Sequence, residues 1–129
     1  MTDAIFDTTF FIDYLRGDVA ALEVWTRVET GELNGHYSAL SLTELWVSPR
    51  FNPVEEAIFI AITRQLVEAP LTPKAAELAG MALRQFPREQ RGAHTFDALI
   101  GSIALVENLP VYTRNVRDMS RFATTVVRY

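Results

Sequence analysis

The sequence of 129 residues has no cysteine, a single lysine and only two histidines. Without cysteine, disulfide cross-links and thiolate metal sites are excluded, and nothing indicates an oxidising compartment. His36 falls in a predicted strand and His94 just before a predicted helix, so neither is assigned a ligand role. A metal ion would therefore depend on oxygen ligands.

The sequence also has no long apolar run. Its densest apolar stretches, residues 57–62 and 98–106, are far shorter than the roughly 20 residues of a transmembrane helix. Asp3 places an acidic side chain where a secretory signal peptide would be basic. These features predict a cytoplasmic protein without a membrane segment.

The charge balance is mildly acidic, with a net charge of −4, 49% apolar residues and 22% charged residues. This composition is typical of a globular protein, and the length predicts one domain covering residues 1–129. A negative charge argues against a generic nucleic-acid binder. Eleven of the twelve basic residues are nevertheless arginine. Arginine suits phosphate binding, although the coding bias of a GC-rich genome would give the same excess.

Strand-like and helix-like segments alternate along the whole chain. The predicted strands cover residues 4–6, 33–38, 67–71, 109–113 and 124–128. The predicted helices cover residues 8–15, 18–29, 41–47, 53–66, 72–86 and 95–107. This alternation predicts an α/β fold with a central, mainly parallel sheet flanked by helices on both faces.

Several polar residues are predicted to meet at one edge of that sheet. Asp7 ends the first strand, Asn115 and Asp118 follow a later strand, and Glu44 and Asp97 fall in the first turns of predicted helices. In open α/β sheets, ligands bind at the carboxyl ends of the strands. Carboxylates without thiolate neighbours suit Mg²⁺ or Mn²⁺, and such sites hydrolyse phosphodiesters.

Each of these residues also has a structural interpretation. Asp7 could cap the first helix, Glu44 could close a capping box with its Ser41-Leu42-Thr43 neighbours, and Asp97 could favour a helix dipole after a Thr95 cap. Asn115 and Asp118 could be turn residues.

Four motifs, in order along the chain, resemble the PIN-domain family. Residues 6–17 resemble the family's first strand, its first Asp, a Ser or Thr two residues later, and a Leu-Arg-Gly ending. Residues 41–45 resemble the segment with the second acid, residues 97–104 that with the third, and residues 111–118 the C-terminal motif. Within that family the chain resembles the VapC toxins of type II toxin–antitoxin pairs.

The resemblance implies a three-layer PIN-like fold and a sequence-selective endoribonuclease that depends on Mg²⁺, with Mn²⁺ as a substitute. Asp7, Glu44 and Asp97 would be the primary metal ligands. Asp118 would complete the site with Asn115, which stands where many relatives have Asp, so the identity of the fourth ligand stays open. Side chains that would assist substrate binding are Thr9, Arg16, Thr113, Arg114 and Arg117.

The resemblance further implies a homodimer and a VapB-like antitoxin, with operator DNA bound only through the toxin–antitoxin complex. In-line hydrolysis of RNA would leave a 5′-phosphate and a 3′-hydroxyl. The alternative is a catalytically silent PIN scaffold that binds an antitoxin and, with it, DNA. A phosphotransferase of the haloacid-dehalogenase type is disfavoured because Thr9 stands where that class has a second Asp. A phosphoaspartate receiver domain is also disfavoured, because this chain lacks the acidic pair that such a domain has at the end of its first strand.

Overall fold

In the computed structural model, which describes residues 2–129, one or two α-helices separate successive strands, giving five strands and seven α-helices in the described chain. The strands are β1 (Thr2–Phe6), β2 (Leu33–Tyr37), β3 (Val67–Glu68), β4 (Val111–Tyr112) and β5 (Val126–Val127). The helices are α1 (Thr8–Leu15), α2 (Val19–Glu29), α3 (Leu40–Trp46), α4 (Pro53–Thr63), α5 (Pro73–Leu83), α6 (Arg91–Glu107) and α7 (Val116–Met119), and a 3₁₀ turn covers Arg88–Gln90.

All five strands are parallel and lie in the order β3-β2-β1-β4-β5. The central strand β1 pairs with β2, where Thr2 lies opposite Leu33, and with β4, where Phe6 lies opposite Tyr112. The chain thus winds outward in one direction through β2 and β3 and in the other through β4 and β5. The predicted α/β fold with a parallel sheet is confirmed, and the point between β1 and β4 is where ligands bind in such folds.

Apolar side chains cover both faces of the sheet. On one face, Phe6 stacks on Phe10 of α1 with ring centroids 4.2 Å apart, in a cluster of buried aromatic residues. On the other face, Ile5 packs with Ile100 and Ile103 of α6. Burial of each large side chain contributes about 1.5–3 kcal/mol. The end of β1 is therefore held firmly between two layers of helices.

The predicted bounds of the first two helices are confirmed. Asp7 and Asp18 accept hydrogen bonds from backbone N–H groups in the first turns of α1 and α2. Gly17, with a φ of 76°, supplies the left-handed turn after α1, and glycine adopts this conformation at little cost.

The capping box predicted at the start of α3 is wrong. The helix begins one residue before Ser41, and its N-cap, Ala39, has no side-chain hydrogen bond. Glu44 consequently lies in the second turn, and its carboxylate bonds Thr8 instead of the helix end. A true capping box occurs at the start of α4. There the N-cap residue precedes a proline, which is well suited to a first helical turn.

The start of α6 was also predicted too late. The helix begins at Arg91, and Thr95 lies within it and donates its hydroxyl to the Arg91 carbonyl at 2.8 Å. Asp97 is therefore in the second turn, and His94 lies inside the helix. The longest helix in residues 2–129 is α6, with 17 residues. No helix in these residues is both long and apolar enough to span a membrane.

Other differences concern ends of elements. The helices α4 and α5 stop three residues before their predicted ends, and β3, β4 and β5 are each only two residues long. After β4, the alternative interpretation of Asn115 and Asp118 as turn residues gives way to the short helix α7, which contains Asp118.

Candidate active site

The site begins where β1 and β4 end side by side. Asp7 follows β1 directly, Thr113 follows β4 directly, and the pairing of Phe6 with Tyr112 brings the two positions together. The Asp7 backbone N–H donates to the Tyr112 carbonyl at 3.3 Å, which extends the pairing to the aspartate itself. The parallel register thus joins two segments that are about one hundred residues apart in the sequence.

The Asp7 carboxylate is almost completely buried, with 2% of the residue exposed. One oxygen accepts the Thr9 hydroxyl at 2.6 Å and the Phe10 N–H at 3.4 Å, and the other accepts the Thr113 hydroxyl at 2.5 Å. Burial raises the pKa of Asp7, and these three donors partly offset that effect. Thr113 is itself oriented, because its oxygen accepts the Asn115 N–H at 2.9 Å.

Glu44 is held by a chain of hydroxyl groups. The Thr8 hydroxyl donates to Glu44 Oε1 at 2.5 Å, and it lies 2.9 Å from the Ser41 hydroxyl. Because Thr8 has only one hydroxyl proton, Ser41 must be the donor to Thr8. Burial raises the pKa of Glu44, and the nearby charge of Asp7 raises it further. The side chain predicted to cap α3 instead faces the end of β1.

Asp97 brings the third element, α6, to the site. Burial, followed by the charges of Asp7, Glu44 and Asp118, raises the pKa of Asp97 to about 6. The four acids come from four separate segments of the chain. They lie close enough for their charges to repel one another in a partly buried setting.

The donor set suits a hard cation, although the protein alone does not complete the coordination. In residues 2–129, no three His, Asp or Glu side chains are close enough together to form a metal-binding group by themselves. Mg²⁺ is usually held by one or two carboxylates together with waters and substrate phosphate. A divalent cation would also offset the repulsion that raises the pKa of Asp97. The residues present therefore fit such an ion.

The segment after β4 contributes a different kind of contact. The Arg114 Nε lies 3.3 Å from Asp13 Oδ2, its terminal nitrogen pairs with Asp18, and its guanidinium lies over the Tyr129 ring at 5.0 Å. The Tyr129 hydroxyl also donates to Asp13 at 2.6 Å. Arg114, predicted as a phosphate contact, thus ties its loop to α1 and α2. Sequence reasoning missed these three partners.

The remaining predicted residues surround the acids. Asp118 on α7 adds its charge to the field at Asp97, whereas Asn115 acts through its backbone. Arg117 is exposed on α7. Arg16 follows α1 directly and lines a pocket that Glu44 also lines.

That pocket has a volume of about 330 Å³ and lies between α1, α3 and the start of α4. Its lining residues are Ile12, Leu15, Arg16, Glu44, Leu45, Ser48, Arg50, Phe51 and Glu55. Sequence reasoning found only two of these, because a pocket formed by three helices has no short motif.

Comparison with known proteins places these features in a family, although no family model matches the chain. The chain is 30% identical over 120 residues to Ribonuclease VapC19 of Mycobacterium tuberculosis, and the alignment covers 92% of this chain and 93% of that protein.

Solved structures share the fold at lower identity. VapBC2 from Rickettsia felis, bound to a DNA fragment from its promoter, matches with a TM-score of 0.73 and 15% identity, covering 99% of both chains. DNA-bound VapBC from Salmonella typhimurium matches with a TM-score of 0.74 and 19% identity, covering 99% of this chain and 98% of that one. VapBC-5 from Mycobacterium tuberculosis matches over the full length of both chains, with a TM-score of 0.63 and 15% identity.

The parallel five-stranded sheet, together with 30% identity to Ribonuclease VapC19 over nearly the whole chain, identifies a protein of the PIN-domain class. Within that class, the chain belongs to the VapC toxin family.

Proposed function

We propose that this protein is a Mg²⁺-dependent, sequence-selective endoribonuclease that acts as the toxin of a VapBC-type toxin–antitoxin pair. The observation that carries the proposal is the proximity of Asp7, Glu44 and Asp118 to Asp97, because burial of Asp97, followed by the charges of these three acids, raises the pKa of Asp97 to about 6. The relationship to Ribonuclease VapC19 supports RNA as the substrate.

Each acid would have its own part in holding Mg²⁺ or its substitute Mn²⁺. Two hydroxyl groups donate to Asp7 and one donates to Glu44, so both carboxylates have little freedom to rotate. Asp97 and Asp118 complete the charge from α6 and α7. These residues would hold the ion, which when bound would supply an activated water nucleophile and stabilise charge on the leaving oxygen. We expect products with a 5′-phosphate and a 3′-hydroxyl.

The partners proposed for this chain follow from its relatives. The similar solved structures are VapBC complexes, two of them bound to DNA. We therefore propose a VapB-like antitoxin as protein partner, a homodimer of this chain within the complex, and DNA binding only through the antitoxin.

The direct test is cleavage of a mixed RNA panel by purified protein with Mg²⁺, beside the Asp97→Asn variant and an excess of EDTA. We expect discrete cuts by the wild-type protein, loss of the cuts in both controls, and recovery when Mn²⁺ replaces Mg²⁺. Specific cleavage that persists in EDTA would contradict the proposal.

A silent scaffold is the second candidate, because no three of the acids in residues 2–129 form a metal-binding group unaided. Expression of Asp7→Asn in cells without antitoxin distinguishes the two. A catalytic toxin loses its toxicity with this change, whereas a scaffold that acts by binding retains it.

A further inference from the structure

The pocket beside Glu44 has a chemistry that phosphodiester hydrolysis alone does not explain. Its volume of about 330 Å³ falls at the lower end of the roughly 300–1,000 Å³ typical of ligand sites. Glu44 forms part of its wall, so the pocket adjoins the acidic site. A ligand in the pocket would therefore lie beside one of the four acids.

One wall of the pocket offers an aromatic surface. Phe51 is half-buried, and its ring packs against Trp46 with centroids 4.8 Å apart and planes inclined by 65°. This contact fixes the ring in place. Ile12 and Leu45 add apolar surface beside it. A flat apolar group that enters the pocket would meet a prearranged wall, which limits the entropy lost on binding.

The pocket lining carries charges of both signs, with Arg16 and Arg50 beside Glu44 and Glu55. Arg16 and Arg50 are both exposed lining residues, and the ion pairs within residues 2–129 involve other arginines, Arg27 and Arg114. Two guanidinium groups thus stand beside an aromatic wall without a carboxylate in ion-pair contact. These two guanidinium groups can bind the phosphates of a ligand whose flat ring lies against the aromatic wall.

Two further groups can read the edge of such a ring. One Glu55 carboxylate oxygen accepts the Asn52 N–H at 3.3 Å, which orients the side chain and leaves its second oxygen as an acceptor. The Ser48 hydroxyl oxygen accepts the Arg50 N–H at 3.3 Å, and its proton remains available for donation. Donors and acceptors therefore both face the pocket.

We propose that this pocket binds the base of a single-stranded RNA nucleotide next to the scissile phosphodiester, with the base against Phe51 and adjacent phosphates on Arg16 and Arg50. The inference rests on the proposed ribonuclease function and deepens it by assigning residues to sequence selectivity. Single-stranded RNA is generally recognised in this way, by stacking on aromatic rings and by hydrogen bonds to base edges.

Binding measured without cleavage tests the pocket. Fluorescence anisotropy follows the affinity of the Asp97→Asn protein for labelled poly(A), poly(C) and poly(U) oligonucleotides and for a mixed-sequence RNA. Adding Phe51→Leu, which keeps an apolar side chain, should weaken binding of the preferred RNA about 5- to 100-fold and reduce the difference between bases. Phe51→Tyr, which keeps the ring, should retain both.

Arginine variants supply the matched comparison. Arg50→Gln should weaken all the RNAs similarly and lower the salt dependence by about one phosphate contact. Arg64→Gln removes the same charge at the far end of α4, eleven residues from the pocket end, and should leave affinity unchanged. Circular dichroism verifies that each variant is folded.

The outcomes separate the pocket from the activity. The inference is overturned if the folded Asp97→Asn protein binds no RNA, or if Phe51→Leu leaves affinity and base preference unchanged. It is equally overturned if these variants weaken only the binding of an antitoxin. Base-dependent binding through Phe51 by a wild-type protein that never cleaves RNA would instead contradict the proposed function and leave the pocket assignment intact.

Discussion

The corner between β1 and α1 and the second turn of α6 each contribute a carboxylate to the acidic site, but they hold it differently. Asp7 is buried and accepts three hydrogen bonds, two of them from threonine hydroxyls. The shift at Asp97 has only unfavourable causes, namely burial and three neighbouring charges. The Asp7 carboxylate is therefore held in place by its hydrogen bonds, whereas the ionised Asp97 carboxylate is destabilised by burial and by the like charges around it.

The largest expected effect, and the sharpest contrast, comes from neutralising the two aspartates. Asp7→Asn and Asp97→Asn should each lower RNA cleavage at least about 100-fold, more than the 10- to 100-fold typical of residues that support a ligand. Their stabilities should diverge. Asn at position 7 places an NH₂ group against hydroxyl donors and should cost about 1–3 kcal/mol, while Asp97→Asn removes repulsion.

Cleavage assays and denaturant unfolding of the metal-free proteins check this divergence. Glu77→Gln, an exposed carboxylate on α5, is the control and should change neither quantity. Equal changes in stability for the two aspartate variants would show that both side chains are held alike.

A smaller effect is expected when only the support of Asp7 is weakened. Thr113→Val keeps the buried shape but removes one hydroxyl donor, so cleavage should fall about 10- to 100-fold and more Mg²⁺ should be needed. Thr124→Val, an exposed position, serves as the matched control. Measurement of cleavage against Mg²⁺ concentration decides the matter, and an unchanged curve for Thr113→Val would remove this hydroxyl from the account.

The stability of the metal-free protein should depend on pH through Asp97. Its pKa is about 6 in the folded protein and near 3.8 when unfolded, so the folded state holds the proton more tightly. Stability should therefore fall as pH rises from about 4 to 6 and level off above that range. Because the group is partly exposed, we expect a loss of roughly 1 kcal/mol.

Denaturant unfolding in EDTA across this pH range measures the loss. Asp7 and Glu44 contribute with the same sign, so the informative quantity is the difference between wild-type protein and Asp97→Asn. The variant should be the more stable protein at pH 7 and should lose its advantage near pH 4. A difference in stability between the two proteins that stays constant at all pH values would contradict the raised pKa of Asp97.

The smallest effect is expected from Arg114, which ties the segment after β4 to α1 and α2. Arg114→Gln removes partly exposed ion pairs with Asp13 and Asp18, and such pairs contribute about 0.2–1 kcal/mol. Thermal unfolding should show a modest loss of stability, and cleavage should stay within a few-fold of wild type. A large loss of cleavage with normal stability would instead make Arg114 a phosphate contact.

Local signals in the sequence predicted the surroundings of Asp7 well. The apolar run of β1, the capping aspartate and Gly17 are all decided within a few residues, so Asp7 was correctly placed at a strand end. The Thr8–Ser41–Glu44 chain was not predicted, because its members meet only through tertiary packing of α1 on α3. The same geometry explains why Glu44 was mistaken for half of a capping box.

The surroundings of Asp97 and of Arg114 were harder to predict. Threonine is a common N-cap residue, which led to Thr95 as the predicted start, but α6 begins at Arg91, directly after the 3₁₀ turn. The partners of Arg114 were also missed, since Asp13 and Tyr129 are brought together by the sheet and lie at opposite ends of the sequence. The single charged residue of α1, Asp13, was the available signal.

The central claim is that the four acids form a divalent cation site, and thermal unfolding with added cation tests it most directly, without knowledge of the RNA target. At a concentration of about 100 times Kd, Mg²⁺ or Mn²⁺ should stabilise the wild-type protein by about 2.7 kcal/mol. Asp97→Asn should respond far less, and NaCl of equal ionic strength should not reproduce the effect. Equal stabilisation of the variant, or none in the folded wild type, would contradict the account.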